Sequence, residues 1–320
     1  MNKIEWPKYL LRSLGFGNLA ILFGAGATYD LGFPLWEGLI DKIYLDLKSS
    51  MSLNQQKEIE EFIKIKDYLE AVEYFIEHSE EKFYDIMQSS FSRDDFDEDT
   101  ISNSNEALLL KLNAHSYLTT NIDNSLEYAK GTVGKKSANI YCYNKEEDIK
   151  DRLILHDNEK NPLIIRLHGE LSDKNSLIFS RRQYDELLAK NYYVFEKIFP
   201  ALLLTSATII VGYSISDPDI QMVLERIYET KGKWKHIFFF NTDGSLSEYK
   251  KSKLKTRYGI EIIDLFKYFS ESETQTDILK KSLLDLNKLK DKISSLSPNE
   301  KKEIFSKTQN EINREIRLMK

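Results

Sequence analysis

Near the N-terminus, the apolar run Ala20-Ile21-Leu22-Phe23 passes directly into Gly24-Ala25-Gly26-Ala27-Thr28. An apolar run that ends in two glycines one residue apart reads as a buried strand whose backbone turns tightly. Without a Cβ, such a turn brings N–H groups close enough to an anion to hold a phosphate. Taken alone, the pair reads more readily as a plain strand-to-helix turn, because Tyr29 replaces the third glycine of the common dinucleotide fingerprint. Its weight comes from the rest of the chain.

Three later apolar segments end in the same manner. Residues 116–119 lead into Thr120-Asn121-Ile122-Asp123, residues 163–167 into His168-Gly169, and residues 208–211 into Gly212-Tyr213-Ser214. Further strands are expected at 139–143, 236–240 and 260–263. Between them lie segments of helical spacing such as Leu39, Ile43 and Leu47. Buried strands alternating with helices predict an α/β fold with a Rossmann-like, doubly wound parallel sheet. Ligands of such sheets lie outside the carboxyl ends of the strands, at the point where strand order reverses. All four polar clusters are therefore expected to face one cleft.

Two regions depart from this pattern. From about 51 to 112 the chain is rich in Glu, Lys, Asp and Ser, with apolar residues such as Phe62, Ile65, Leu69, Val72 and Ile76 at helical intervals. It reads as a helical insertion, within which the acidic, serine-containing stretch 92–105 is expected to be an exposed loop or a lid. A charged, hairpin-like stretch is expected between 143 and 162. A helix is expected from Asp217, as its cap, through Pro218 to Thr230. The segment 268–320 reads as a helical C-terminal extension divided at Pro298, so the expected division is a binding domain over 1–267 and an extension over 268–320.

Among the candidates, His168 closes an apolar strand and is expected to reach an open cleft, against the plainer reading of a core or capping histidine. Helix capping is the plainer reading of both Asn121 and Asp123; it suffices for Asp123 and explains Asn121, two residues earlier, less readily. Thr28 and Ser214 are explicable as turn residues. The five histidines, His78, His115, His156, His168 and His236, form no ligand pair on one helical face, and Cys142 is the single cysteine. No disulfide framework, thiolate zinc cluster or other metal site is expected. A net charge of −6 argues against general nucleic-acid binding. The first residues, with Glu5, Pro7, Lys8 and Arg12, are not expected to be a signal peptide, and the apolar runs are too short to span a bilayer. A cytoplasmic protein is expected.

Taken in order, these motifs resemble the sirtuin family. Gly24-Ala25-Gly26-Ala27-Thr28 with Gly32-Phe33-Pro34 is similar to the family's glycine-alanine-glycine opening and glycine-isoleucine-proline cofactor loop. Thr120-Asn121-Ile122-Asp123 resembles glutamine-asparagine-isoleucine-aspartate, His168-Gly169 its histidine-glycine, Gly212-Tyr213-Ser214 its glycine-threonine-serine, and Phe240-Asn241 its late strand ending in asparagine. The resemblance spans residues 18–265 and implies NAD in an extended cleft. It implies that Gly24, Ala25, Gly26, Thr28, Gly212 and Ser214 hold the pyrophosphate and that Phe33 and Pro34 belong to the cofactor loop. Asn121 and His168 would address the nicotinamide ribose, Asp123 the nicotinamide amide and Asn241 the adenosine ribose. The four zinc-binding cysteines of protein-deacylating sirtuins are missing, and Trp36-Glu37 stands where phenylalanine-arginine would be. These departures resemble the sirtuin-like domains of bacterial anti-phage defence systems. The expectation is an NAD glycohydrolase, with NAD as substrate and no metal, restrained by homo-oligomerisation, by the acidic loop, or by a partner defence protein such as an ATPase or an Argonaute-type sensor. The alternatives are an NAD-dependent protein deacylase, a non-catalytic NAD or ADP-ribose sensor, and a helical interaction subunit on an α/β scaffold.

Overall fold

The computed structural model describes residues 3–154, 161–190, 192–215, 220–221, 224–225, 228 and 236–319. Its centre is a seven-stranded parallel sheet of β1 (Leu19–Phe23), β2 (Ser116–Thr119), β3 (Ile140–Cys142), β4 (Leu163–Arg166), β5 (Ala207–Val211), β6 (Ile237–Asn241) and β7 (Ile260–Asp264), in the order β3-β4-β2-β1-β5-β6-β7. β1 pairs with β2 on one side, Phe23 opposite Thr119, and with β5 on the other, Phe23 opposite Val211. The chain leaves β1 toward β2 and later continues from β5 toward β6, so strand order reverses between β1 and β5. The sheet is the expected Rossmann-like, doubly wound one.

Every residue of β1 is buried, and its side chains divide by alternation. Leu19, Ile21 and Phe23 join one apolar cluster, and Leu22 joins the second on the opposite face. Each such side chain stabilises the fold by roughly 1.5–3 kcal/mol on removal from water. A strand buried on both faces is what gives an uninterrupted apolar run in sequence.

The first face is covered by the helices Lys8–Phe16 and Trp36–Leu47, by the insertion, and by the C-terminal helices, all in one cluster. The Lys8–Phe16 helix starts after Pro7, which is extended (φ −57, ψ 136), and it ends at a left-handed Gly17. The insertion consists of the helices Leu53–Ile65, Tyr68–Phe91, Glu98–Ser102 and Asn105–Leu110.

Several local expectations are corrected. Residues 92–105 are not one exposed loop. Asp97 caps Glu98–Ser102 by accepting from the Thr100 N–H at 2.9 Å, and Ser104 caps Asn105–Leu110 by accepting from the Ala107 N–H at 3.1 Å. Ser104, Asn105 and Glu106 are buried. Asp97 and Ser104, two of the residues that suggested a solvated loop, are capping residues. In the charged stretch after β3 the described residues hold a helix, Glu146–Ile154, where a hairpin was expected, and residues 155–160 lie outside the described residues. The tail forms three helices, Gln275–Ser294, Pro298–Ile304 and Gln309–Leu318, because a second capping box, Thr308 with Glu311, follows the one at Ser297 with Glu300. Asp217 and Pro218 lie outside the described residues; Ile220, Gln221, Leu224, Glu225 and Tyr228 of that segment are helical. Among the described residues no helix is long and apolar enough to cross a membrane.

Candidate active site

The turns after β1 and β5 interlock. Gly24 N–H donates to Val211 O and Gly26 N–H to Gly212 O, both at 3.0 Å. A Cβ on Gly26 would lie 2.9 Å from Gly212 Cα, and one on Gly212 would lie 2.6 Å from Ala27 N. Gly212 also has φ +75, a left-handed backbone that favours glycine. Each glycine is therefore required by the other turn, and together they form the floor of the switch point. Ser214 is exposed at the rim. The Tyr213 ring lies against Gly24, its hydroxyl donating to Phe23 O at 3.0 Å and meeting Thr120 Oγ1 at 3.0 Å.

Beside this floor stand the residues that follow β2. Thr119 donates to Phe23 O at 2.8 Å and accepts the Asn121 N–H at 3.0 Å, which fixes the bend out of the strand. The Asn121 side chain then donates to Thr28 Oγ1 at 3.1 Å, and Thr28 donates to Asp123 Oδ2 at 3.2 Å. Asn121, Thr28 and Asp123 thus form one buried line joining the β1 and β2 loops. Burial pushes the Asp123 carboxyl up, while the Ser125 hydroxyl and the Arg166 charge act to lower it. The Asp123 main chain is held too, because Arg166 donates to its carbonyl at 2.6 Å and to Glu127 at 2.9 Å. Below it, the fully buried Glu106 carboxyl is raised well above the usual range by burial and by the neighbouring Asp123 charge.

His168 follows β4, beside β2, but it does not open onto a cleft: it is 2% exposed. Its ring meets Tyr184 edge-on at 5.4 Å and Phe179 at 6.3 Å, with Nε2 3.4 Å from the Tyr184 hydroxyl. The enclosure follows from Gly169, whose φ of +86 turns the chain hard against Ser176. The returning strand-like segment then donates from Ile178 N–H to His168 O at 3.3 Å. Phe33 is buried between Phe91 and Phe96, with Pro34 half-buried next to it. Asn241, at the end of β6, donates to Asp264 at 2.8 Å. Burial works against the charge on Asp264, but Lys251, Lys267 and Asn241 outweigh it and hold its carboxyl below the usual range.

The structure therefore sets the candidates along five adjacent strand ends, β4-β2-β1-β5-β6. At about 4.8 Å per strand the row is about 19 Å long. A cavity of 560 Å³ lined by Glu127, Tyr141, Asp148, Arg152 and neighbours lies by the edge strand β3 and contains none of the candidates. Among the described residues no cluster of three or more His, Cys, Asp or Glu could hold a metal ion.

A SIR2-like domain model matches residues 115–263. The chain is similar to "NAD(+) hydrolase ThsA" of Cytobacillus dafuensis, 25% identical over 240 residues, covering 73% of this chain and 43% of that protein. The protein of the same name from Enterococcus faecium is 23% identical, covering 71% and 43%. "Defense-associated sirtuin 2" of Bacillus subtilis is 23% identical over 275 residues, covering 85% and 25%. The chain spans less than half the length of these relatives. A solved chain from "Structural Basis for the Mechanism and Regulation of Sir2 Enzymes" aligns over 91% of this chain and 100% of its own, with TM-score 0.41 and 12% identity; the fold rests on the sheet itself.

Ser125, Glu106, Arg166 and Tyr213 belong to this site although sequence reasoning gave them no role. Arg166 carried a signal, being one charge within an apolar run (Leu-Ile-Ile-Arg-Leu), whereas Glu106 stands at the polar start of its run (Ser-Asn-Glu-Ala-Leu-Leu-Leu) and carried none.

Proposed function

We propose that this chain is an NAD glycohydrolase that cleaves NAD to nicotinamide and ADP-ribose, acting as the regulated effector of an anti-phage abortive-infection system. The observation that carries the reading is the order of the strand ends. From β4 to β6 it runs His168, Asn121 with Asp123, the Gly24–Thr28 loop, Gly212 with Ser214, and Asn241. The sirtuin resemblance assigns these residues to the nicotinamide ribose, the nicotinamide amide, the pyrophosphate and the adenosine ribose in that same sequence. A dinucleotide laid across the row meets each group in turn. The similarity to proteins named NAD(+) hydrolase supports the same substrate.

In this reading the glycine turns hold the diphosphate with backbone N–H groups. The bond between ribose and nicotinamide breaks with its electron pair going to nicotinamide, leaving an oxocarbenium-like centre at the ribose carbon. Such a reaction needs positioning and charge stabilisation more than a strong nucleophile. Asn121 orients the ribose or the incoming water, and His168 takes the proton as water adds. The Tyr213 ring on Gly24 and the enclosure of His168 favour regulated turnover, because both must shift before NAD lies along the row. The test is NAD consumption by the purified protein with chromatographic separation of products, beside His168→Ala and Asn121→Ala. Nicotinamide and ADP-ribose from the wild type, absent from both variants, support the assignment; turnover surviving in both variants removes it.

A further inference from the structure

Ser125 opens the Ser125–Thr132 helix and is fully buried, its hydroxyl oxygen 2.6 Å from Glu106 Oε2 and 2.5 Å from Asp123 Oδ1. A serine hydroxyl carries one hydrogen. With both carboxyls ionised, one of the two contacts would press an oxygen lone pair against a carboxylate with no proton between them. A further proton is therefore required, and the donors show which carboxyl holds it. Asp123 accepts from the Thr28 hydroxyl at 3.2 Å and the Ser125 N–H at 3.1 Å, with the Arg166 guanidinium against its carbonyl at 2.6 Å. Glu106 has Ser125 at one oxygen, and its Oε1 is buried with no hydrogen-bond partner among the described residues. An ionised carboxylate with one oxygen unsolvated and unpaired is costly, whereas a neutral acid satisfies Ser125 by donating to it.

We propose that Glu106 is held neutral and donates to Ser125, which gives its own hydrogen to Asp123, making Glu106 a positioning residue for the Asp123 carboxylate. The groups facing Glu106 agree with this. Asp123 and Glu127 disfavour a second negative charge, and the Ser125 hydrogen bond and the Arg166 charge oppose them. On the other side the Asp30 carboxyl accepts the Asn105 N–H at 2.8 Å and is itself pushed up by burial, with Lys280 acting to lower it. The consequence for the ligand rests on the NAD reading above: with the proton in place, Asp123 is locked toward Thr28 and the nicotinamide end of the row. Raising the pH through the elevated Glu106 value removes that proton, turns the Ser125 hydroxyl toward Glu106, and releases Asp123.

Infrared difference spectroscopy of the wild type against Glu106→Gln at neutral pH reads the proton directly and needs no NAD. The expected result is a protonated-carboxyl band in the wild type that the variant lacks; a spectrum without it overturns the proposal. Calorimetric NAD titrations across pH then compare wild type, Glu106→Gln and Glu106→Leu. The glutamine amide donates to Ser125 as the neutral acid does, so its variant stays within about twofold of wild type and loses the decline with rising pH, while the leucine variant binds roughly tenfold more weakly. Equal losses in both variants overturn the proposal. Should the leucine variant not fold, Ser125→Ala cuts the same line with a smaller change in volume, and unchanged affinity there overturns it. A wild type that shows the band but binds no NAD removes the NAD reading and leaves the neutral Glu106 standing.

Discussion

The interlocked glycines permit a worked prediction. In Gly212→Ala, the left-handed backbone costs an alanine about 1–2 kcal/mol. The new Cβ would sit 2.6 Å from Ala27 N and 2.8 Å from Gly24 O, backbone atoms that cannot rotate aside. Parting the two turns breaks the Gly26 N–H to Gly212 O bond, roughly a further 1 kcal/mol. The sum is about 2–4 kcal/mol of lost stability. Gly17 is the internal control: its φ is +69, nearly the same, but a Cβ there meets no atom of the described residues within 4 Å. Gly17→Ala should therefore lose only the backbone share. Urea unfolding of both variants beside wild type, compared at unchanged denaturant slope, measures the difference. Calorimetry should show NAD affinity falling at least about tenfold for Gly212→Ala and unchanged for Gly17→Ala. If Gly212→Ala loses no more stability than Gly17→Ala, the turns do not interlock and the floor of the site has been misread.

Further tests address single links. Thr28→Val removes the hydroxyl that joins Asn121 to Asp123 and should weaken NAD binding by about 1–3 kcal/mol, with Thr28→Ser restoring most of it; equal affinities in calorimetry would refute the link. Asp264→Ala takes away the acceptor that orients the Asn241 side chain and should raise the NAD dissociation constant several-fold without changing the products released. Asp285 accepts from Arg317 at 2.8 and 2.9 Å and from Trp6 at 2.8 Å; burial raises its carboxyl, but these partners outweigh it and leave it below the usual range. Its folded-state value is depressed, so its contribution is full above the unfolded value near pH ~4 and is lost as pH falls through the lowered one. Acid unfolding followed by circular dichroism should show Asp285→Asn less stable at neutral pH, with a shallower acid limb than wild type.

Much of the site was legible because it is local. A strand that ends in glycine, in Asn-Ile-Asp or in His-Gly announces itself within a few residues, and parallel topology puts such ends side by side. What could not be read were the links between distant segments. Glu106 reaches Ser125 across 19 positions and Arg166 reaches Asp123 across 43, and no periodicity encodes either. The enclosure of His168 depends on Gly169 turning the chain back over it, which two letters of sequence leave open. Residues 92–105 misled for a different reason: composition treats Asp97 and Ser104 as solvating, whereas position makes them helix caps.

Amide hydrogen exchange with and without NAD tests the central claim most directly, since it reads every strand end in one experiment. The account predicts that NAD slows exchange together at residues 24–28, 121–123, 168–169, 212–214 and 241, with Asn121→Ala diminishing the effect at the β2 and β4 ends. NAD that binds while these segments keep their free-state rates, or that protects only the β3 edge around Tyr141 and Arg152, would contradict it.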